Sequence, residues 1–172
     1  MARPFLADAE FVNKAAAGRP ETINTCIGCN QACLDQIFSR EIASCLVNPR
    51  ACHETVITAP PLLAKKAVAV VGAGPAGLAA ATTAAERGHL VTLFDAASDI
   101  GGQFNLARRI PGKEEFVETL RYFRARLAEL DVEQKLGRRV DADELTGYDD
   151  VLVATGIVPR VPAIPGIDHP KV

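Results

Sequence analysis

The chain has no tryptophan, its aromatics make up only 5% of 172 residues, and its single methionine is residue 1. A core must therefore come from aliphatic side chains. No apolar run approaches the length of a membrane span, the longest being "AVAVV" at 67–71. The opening "MARPFLADAE" has no apolar stretch of the kind that marks a secretion signal. Positive charge is not in excess, since the formal net charge is -2, so nothing in the balance points to nucleic acid or to an anionic membrane surface. These absences lead to the expectation of a protein of the reducing cytoplasm. There, clustered cysteines read as metal ligands or redox groups rather than as disulfides.

Hydrophobic residues make up 48% and charged residues 23% of the chain, which is ordinary for a globular protein and enough for one domain with attached pieces. Residues 1–25 are punctuated by Pro and Gly, with one helix expected over Leu6–Ala17, ending near Gly18. Residues 26–64 are rich in Cys, Asn and Pro, and only a short helix near Leu34–Phe38 is expected. Such a segment has little core of its own and needs a metal centre or a neighbour to hold it.

From Lys65 the pattern changes. "AVAVVG" (67–72) reads as a buried parallel strand. "PAGLAAATTAAERG" (75–88) reads as a helix with Pro75 in its first turn and Gly88 closing it. "LVTLF" (90–94) is a second strand. Over 114–130, Phe116, Leu120, Phe123, Leu127 and Leu130 fall on one helical face, and the Glu/Arg-rich opposite face reads as a solvated surface. "VEQKL" and "RRV" are weaker strand candidates, and "DVLVATG" (150–156) reads as another buried strand. The alternation argues for an α/β fold with a parallel sheet.

Between the first strand and helix, Gly72-Ala73-Gly74-Pro75-Ala76-Gly77 forms G-x-G-x-x-G. The first glycine permits a tight turn, the second admits a pyrophosphate, and the third lets helix and strand pack closely. A diphosphate then meets the helix N-terminus, where unpaired N–H groups and the dipole favour anions. Asp95 ends the second strand, where an acid accepts hydrogen bonds from a ribose diol and repels a 2′-phosphate.

Four cysteines, Cys26, Cys29, Cys33 and Cys45, are spaced C-x2-C-x3-C-x11-C. Three thiolates in one tight stretch and a fourth from a following loop meet the demand of a [4Fe–4S] cluster. Zinc also accepts four cysteines, although structural zinc sites more often pair two C-x2-C knuckles. Cys52 reads as a small buried residue. His53 could hydrogen-bond a sulfur ligand, but it reads more simply as a surface or capping residue, and His89 and His169 have no partner pattern.

The segments "DIGGQF" (99–104) and "VLVATGIVPRVPAIPGI" (151–167) resemble the second glycine pair and the ATG segment of flavoproteins with two dinucleotide-binding domains. "INTCIGCNQACLDQIF", "SCLVNPRACHE", "VVGAGPAGLAAA", "VTLFDA", "IGGQFNLA", "IPGKEEFVETLRYFR" and "ATGIVPR" together resemble the bacterial NADPH-dependent 2,4-dienoyl-CoA reductases, over nearly the whole chain. Trimethylamine dehydrogenase, a relative, shares the cysteine spacing but fits its continuation less well.

The resemblance implies an internal portion of a longer protein. Residues 1–25 would be the tail of an FMN-binding TIM barrel, 26–64 the iron–sulfur segment, 65–166 a Rossmann-like FAD-binding domain, and 167–172 the start of a linker to an NADPH domain. It implies FAD held by Gly72, Gly74, Ala76, Asp95 and Gln103, with Arg108 or Arg109 near its phosphates and Val140 presenting backbone to the adenine. Ala2 and Arg3 match a pair that contacts the FMN phosphate, the alternative for Arg3 being a solvated terminal charge. Electrons would pass from NADPH to FAD, the cluster and FMN, reducing a dienoyl-CoA in fatty-acid β-oxidation. The partners implied are the barrel and NADPH domains, with no nucleic acid and no membrane. ADP in place of FAD, a stand-alone electron-transfer subunit, an amine- or enone-acting relative and a zinc module remain open.

Overall fold

The structure is a computed structural model that describes residues 2–171. Its centre is a four-stranded sheet, all parallel, in the order β3-β2-β1-β4, made of β1 (Ala67–Val71), β2 (Leu90–Phe94), β3 (Glu133–Lys135) and β4 (Asp150–Val153). β1 is central because its inner residues are apolar on both faces, and Val68, Ala69 and Val70 are buried. It pairs Val68 with Val91 of β2 and Val70 with Leu152 of β4. The order is that of one half of a doubly wound sheet. The expected α/β class with a parallel sheet is the observed one.

Helix α4 (Pro75–Glu86) crosses from β1 to β2. Its small residues let it lie close to the sheet, with Gly77, Leu78, Ala81 and Thr82 buried. Helix α6 (Phe116–Glu129) packs beside it through Leu120 and Leu127, both fully buried, while Phe123 and Leu130 close the edge of the core. Each of these leucines withdraws enough apolar surface to be worth about 1.5–3 kcal/mol. A short α5 (Phe104–Ala107), not anticipated from the pattern, stacks Phe104 on Phe116 at a centroid distance of 4.9 Å.

Several sequence expectations are corrected. The single helix over 6–17 is two, α1 (Ala2–Ala7) and α2 (Phe11–Ala16). Asp8 breaks it by accepting the Glu10 N–H at 3.0 Å and the Lys14 ammonium at 2.6 Å, a local side-chain pairing that competes with the helix. The helix expected near Leu34 starts earlier, as a π turn over Gln31–Asp35 that runs into α3 (Gln36–Phe38). "RRV" is not a strand, because β3 ends at Lys135. β4 is not buried. It is an edge strand with Val153 73% exposed, and the "ATG" that follows leaves the sheet. Cys52 is exposed rather than buried. The charged face of α6 is not simply solvated, since Arg126 bonds Glu86 at 2.6 Å and Arg121 reaches back to residues 20–25.

Candidate functional site

Two sites are built on this frame. The first is the turn from β1 into α4. Gly72 turns there at φ +113°, and a Cβ on it would stand 2.3 Å from the Ala154 carbonyl oxygen. A Cβ on Gly77 would stand 1.7 Å from the Gly72 oxygen, so both glycines are required by packing. Gly74 differs, with nothing within 4 Å of its would-be Cβ. It caps the N-terminus of a 12-residue helix whose first N–H groups have no partner within the helix. Ala76 is exposed in that first turn. The second glycine pair closes on the first, with the Gly101 N–H donating to the Ala73 carbonyl at 2.7 Å. The result is an uncrowded helix N-terminus with the helix dipole behind it, which suits a diphosphate.

Asp95 stands at the end of β2. Its carboxylate accepts the Ala73 N–H at 2.6 Å and the Ala97 N–H at 2.7 Å, which ties the glycine turn to the sheet. Each oxygen keeps a further lone pair for a ligand. Gln103 donates to the Ile157 carbonyl at 2.7 Å and so fastens the segment after β4 to α5. Arg109 is exposed, while Arg108 is half-buried near Asp99. Val140 is half-buried in the loop after β3, which the Gly137 and Arg138 N–H groups hold to the end of β2.

The second site is a cavity whose wall includes Cys26, Cys29, Cys33 and Cys45, all of them free and half-buried. Gly28 at φ +64° and Asn30 at φ +60° take left-handed conformations that curl the loop around it. Burial pushes the Cys45 thiol above its ordinary pKa. The Val47 and Asn48 N–H groups act the other way, and neighbouring Cys26 and Cys29 add to the rise. Arg3 also lines the cavity and donates to Asn30 Oδ1 at 2.8 Å, while Ala2 is exposed at the start of α1. Cys52 is not among the lining residues.

The donor set is four thiols with no carboxylate or imidazole, which suits iron–sulfur chemistry. Among the described residues, no three His, Cys, Asp or Glu side chains form a group fit to hold a single metal ion. Tetrahedral zinc at ~2.3 Å from each sulfur would draw the sulfurs to roughly 3.8 Å of one another. A cubane cluster has a body of its own, so its thiolates would have to stand further apart than those around a single ion.

Three features had no signal in the sequence pattern. Buried Asp8 accepts the Asn24 N–H at 2.8 Å while bonded to Lys14. Asn24 in turn donates to the Val47 carbonyl at 2.7 Å, beside the cavity wall. Asn48 donates to the Leu6 carbonyl at 2.9 Å. All are polar residues in irregular segments, where no periodicity distinguishes a structural side chain from a solvated one. The histidines serve locally. His53 Nδ1 lies 3.1 Å from the Ala51 carbonyl, and His89 and His169 accept backbone N–H groups.

Comparison with known proteins places these sites in context. The family model described as pyridine nucleotide-disulphide oxidoreductase matches residues 66–172. The chain is 39% identical over 171 residues to a metal reductase of Desulforamulus reducens, covering 96% of this chain and 26% of that protein. Among solved structures, a 2-naphthoyl-CoA reductase complex superposes with a TM-score of 0.93 at 40% identity, covering 99% of this chain and 26% of its own. A 6-hydroxypseudooxynicotine amine oxidase from Pseudomonas geniculata N1 superposes at 0.85 with 36% identity, covering 99% and 28%. The chain thus spans about a quarter of the length of the curated relatives it matches. By name these relatives are oxidoreductases.

Proposed function

The chain belongs to the pyridine nucleotide-disulphide oxidoreductase family, and from that premise we propose that it is the electron-transfer portion of an NADPH-dependent reductase of the 2,4-dienoyl-CoA type. On this reading it holds FAD at the glycine turn and a [4Fe–4S] cluster at Cys26, Cys29, Cys33 and Cys45. The observation that carries the reading is the pairing, on one chain, of an open helix N-terminus at Gly74 with a cavity walled by four cysteines. The 2-naphthoyl-CoA reductase among the structural neighbours supports an acyl-CoA substrate for the whole protein.

When bound, a flavin takes up a hydride and gives up electrons singly, and a cubane cluster carries them one at a time. The chain's own residues bind and orient. Gly72 shapes the turn, and Gly74 and Ala76 present the first-turn N–H groups to a diphosphate. Asp95 accepts from ribose hydroxyls and repels a 2′-phosphate. Gln103 ties the segment after β4 to α5 through the Ile157 carbonyl. Arg109 would neutralise phosphate charge, and Val140 would offer backbone atoms to the adenine. The Val47 and Asn48 N–H groups offset negative charge on the Cys45 sulfur. Ala2 and Arg3 would meet an FMN phosphate if a barrel domain supplies one, and a further domain would bind NADPH. Among the described residues no helix is long and apolar enough to cross a membrane, and we place the protein in the cytoplasm.

The test is to purify the chain anaerobically, release its nucleotide with acid and identify it. About one FAD per chain supports the reading, and the chain alone with NADPH and a dienoyl-CoA gives no turnover. The amine oxidase among the neighbours favours a second reading, an amine-oxidising enzyme of the same build. ADP in place of FAD would support that second reading and count against the first.

A further inference from the structure

Arg121 lies on α6, on a face whose alternating charges suggest contact with water. It does something else. Its Nη1 donates to the carbonyls of Pro20 at 3.2 Å and Glu21 at 2.6 Å. Its Nη2 donates to the Ile23 carbonyl at 3.0 Å and Thr25 Oγ1 at 2.9 Å, and its Nε to Glu118 at 2.6 Å. Residues 23–25 belong to no helix or sheet, so their carbonyls depend on side chains or water for partners. The same stretch is gripped from its other side, where Asp8 accepts the Asn24 N–H. Thr25 immediately precedes Cys26.

The cysteine loop also runs near the start of the same helix. A Cβ on Gly28, the residue before Cys29, would lie 3.9 Å from Oε2 of Glu115, the residue just before α6. The entry of the loop is thus bonded to α6, and Gly28 lies near the residue that opens the helix. The buried face of α6, through Leu120 and Leu127, is part of the core beneath the nucleotide-binding sheet.

We propose that Arg121 is a positioning residue that registers Cys26 and Cys29 against the nucleotide-binding sheet. It touches neither the glycine turn nor a sulfur, and acts through the backbone of residues 20–25. Only a guanidinium can do this, because a planar fork of five donors spans acceptors that a single ammonium cannot reach together. The inference rests on the cysteine-site reading for its functional meaning.

The test compares the full chain with its Arg121→Ala and Arg121→Lys variants by amide hydrogen exchange and by thiol reactivity toward a disulfide reagent. In Arg121→Ala, amides of residues 21–29 exchange at least about tenfold faster. Amides of β1 and β2 keep their rates, and Cys26 and Cys29 react faster. Arg121→Lys recovers only part of this. In the iron-loaded chain the paramagnetic signal of the reduced form changes with Arg121→Ala while FAD affinity stays within about twofold. Unchanged exchange at 21–29 would overturn the proposal, as would a uniform loss of protection across the sheet. A wild-type chain that takes up no iron and sulfide defeats the cluster reading alone, and exchange at 21–29 still decides the role of Arg121.

Discussion

Gly74 and Gly77 stand three positions apart and respond to an added methyl group in different ways. At Gly77 the methyl meets the Gly72 carbonyl oxygen at 1.7 Å, and backbone must move. Gly77→Ala is expected to lower stability by about 3 kcal/mol in urea denaturation, at the upper end of overpacking costs. At Gly74 the methyl meets open space and the backbone is extended, so Gly74→Ala folds with stability within about 0.5 kcal/mol of wild type. It nevertheless weakens FAD binding at least about tenfold, because the methyl occupies the approach to the diphosphate. Equal affinity in a titration followed by flavin fluorescence would show that the nucleotide does not sit there. Asp8 makes a different point. It is 6% exposed and paired with a Lys14 that is 17% exposed. Asp8→Asn leaves an ammonium with reduced compensation and is expected to cost about 3 kcal/mol by the same denaturation assay. The tight turn at Gly72 and the close packing at Gly77 could be read from the fingerprint because that turn tolerates few alternatives, whereas the bonds of Asp95 to the Ala73 and Ala97 N–H groups could not. The Asp8–Lys14–Asn24 hub could not, because long-range polar contacts leave no local period.

At the scale of elements, helix α6 has two working faces. Its apolar face follows the helical spacing of Leu120 and Leu127. Leu127→Ala is expected to cost about 2–5 kcal/mol, whereas Val117→Ala, at a position 40% exposed, costs under about 1 kcal/mol. Thermal unfolding of the two variants side by side separates them. The charged face resists reading because Arg121 and Arg126 look the same in sequence whether water or a neighbouring segment meets them. Strands β1 and β2 were legible to within a residue because both are largely apolar runs bounded by turns. β4 has the same composition, yet it lies at the edge of the sheet with Val151 and Leu152 39% and 42% exposed. Composition alone does not distinguish a central strand from an edge strand.

At the scale of the whole molecule, exposed charge pairs tune stability in acid. The Arg124 guanidinium holds Asp99 below the usual carboxylate range, as Arg138 does Glu144, and the Gly112 N–H lowers Glu114. A lowered carboxylate stabilises the fold above its ordinary pKa of about 4, and that contribution is lost as pH falls through the lowered value. The melting temperature should therefore fall from about pH 4 downward, less steeply in high salt. A flat calorimetric profile over that range would contradict it. The gathering of the four cysteines and the glycine turn were legible because cysteine spacing and glycine fingerprint are both local motifs. The way the cysteine segment is fastened to the sheet was not, since Arg121 meets its partners across about a hundred positions of chain. The measurement that bears most directly on the central claim is iron and acid-labile sulfide analysis of the anaerobically reconstituted chain, beside its Cys45→Ala variant. The account predicts roughly four irons and four sulfides per wild-type chain, with the cluster lost in the variant. One zinc per chain, or undiminished iron in Cys45→Ala, would contradict it.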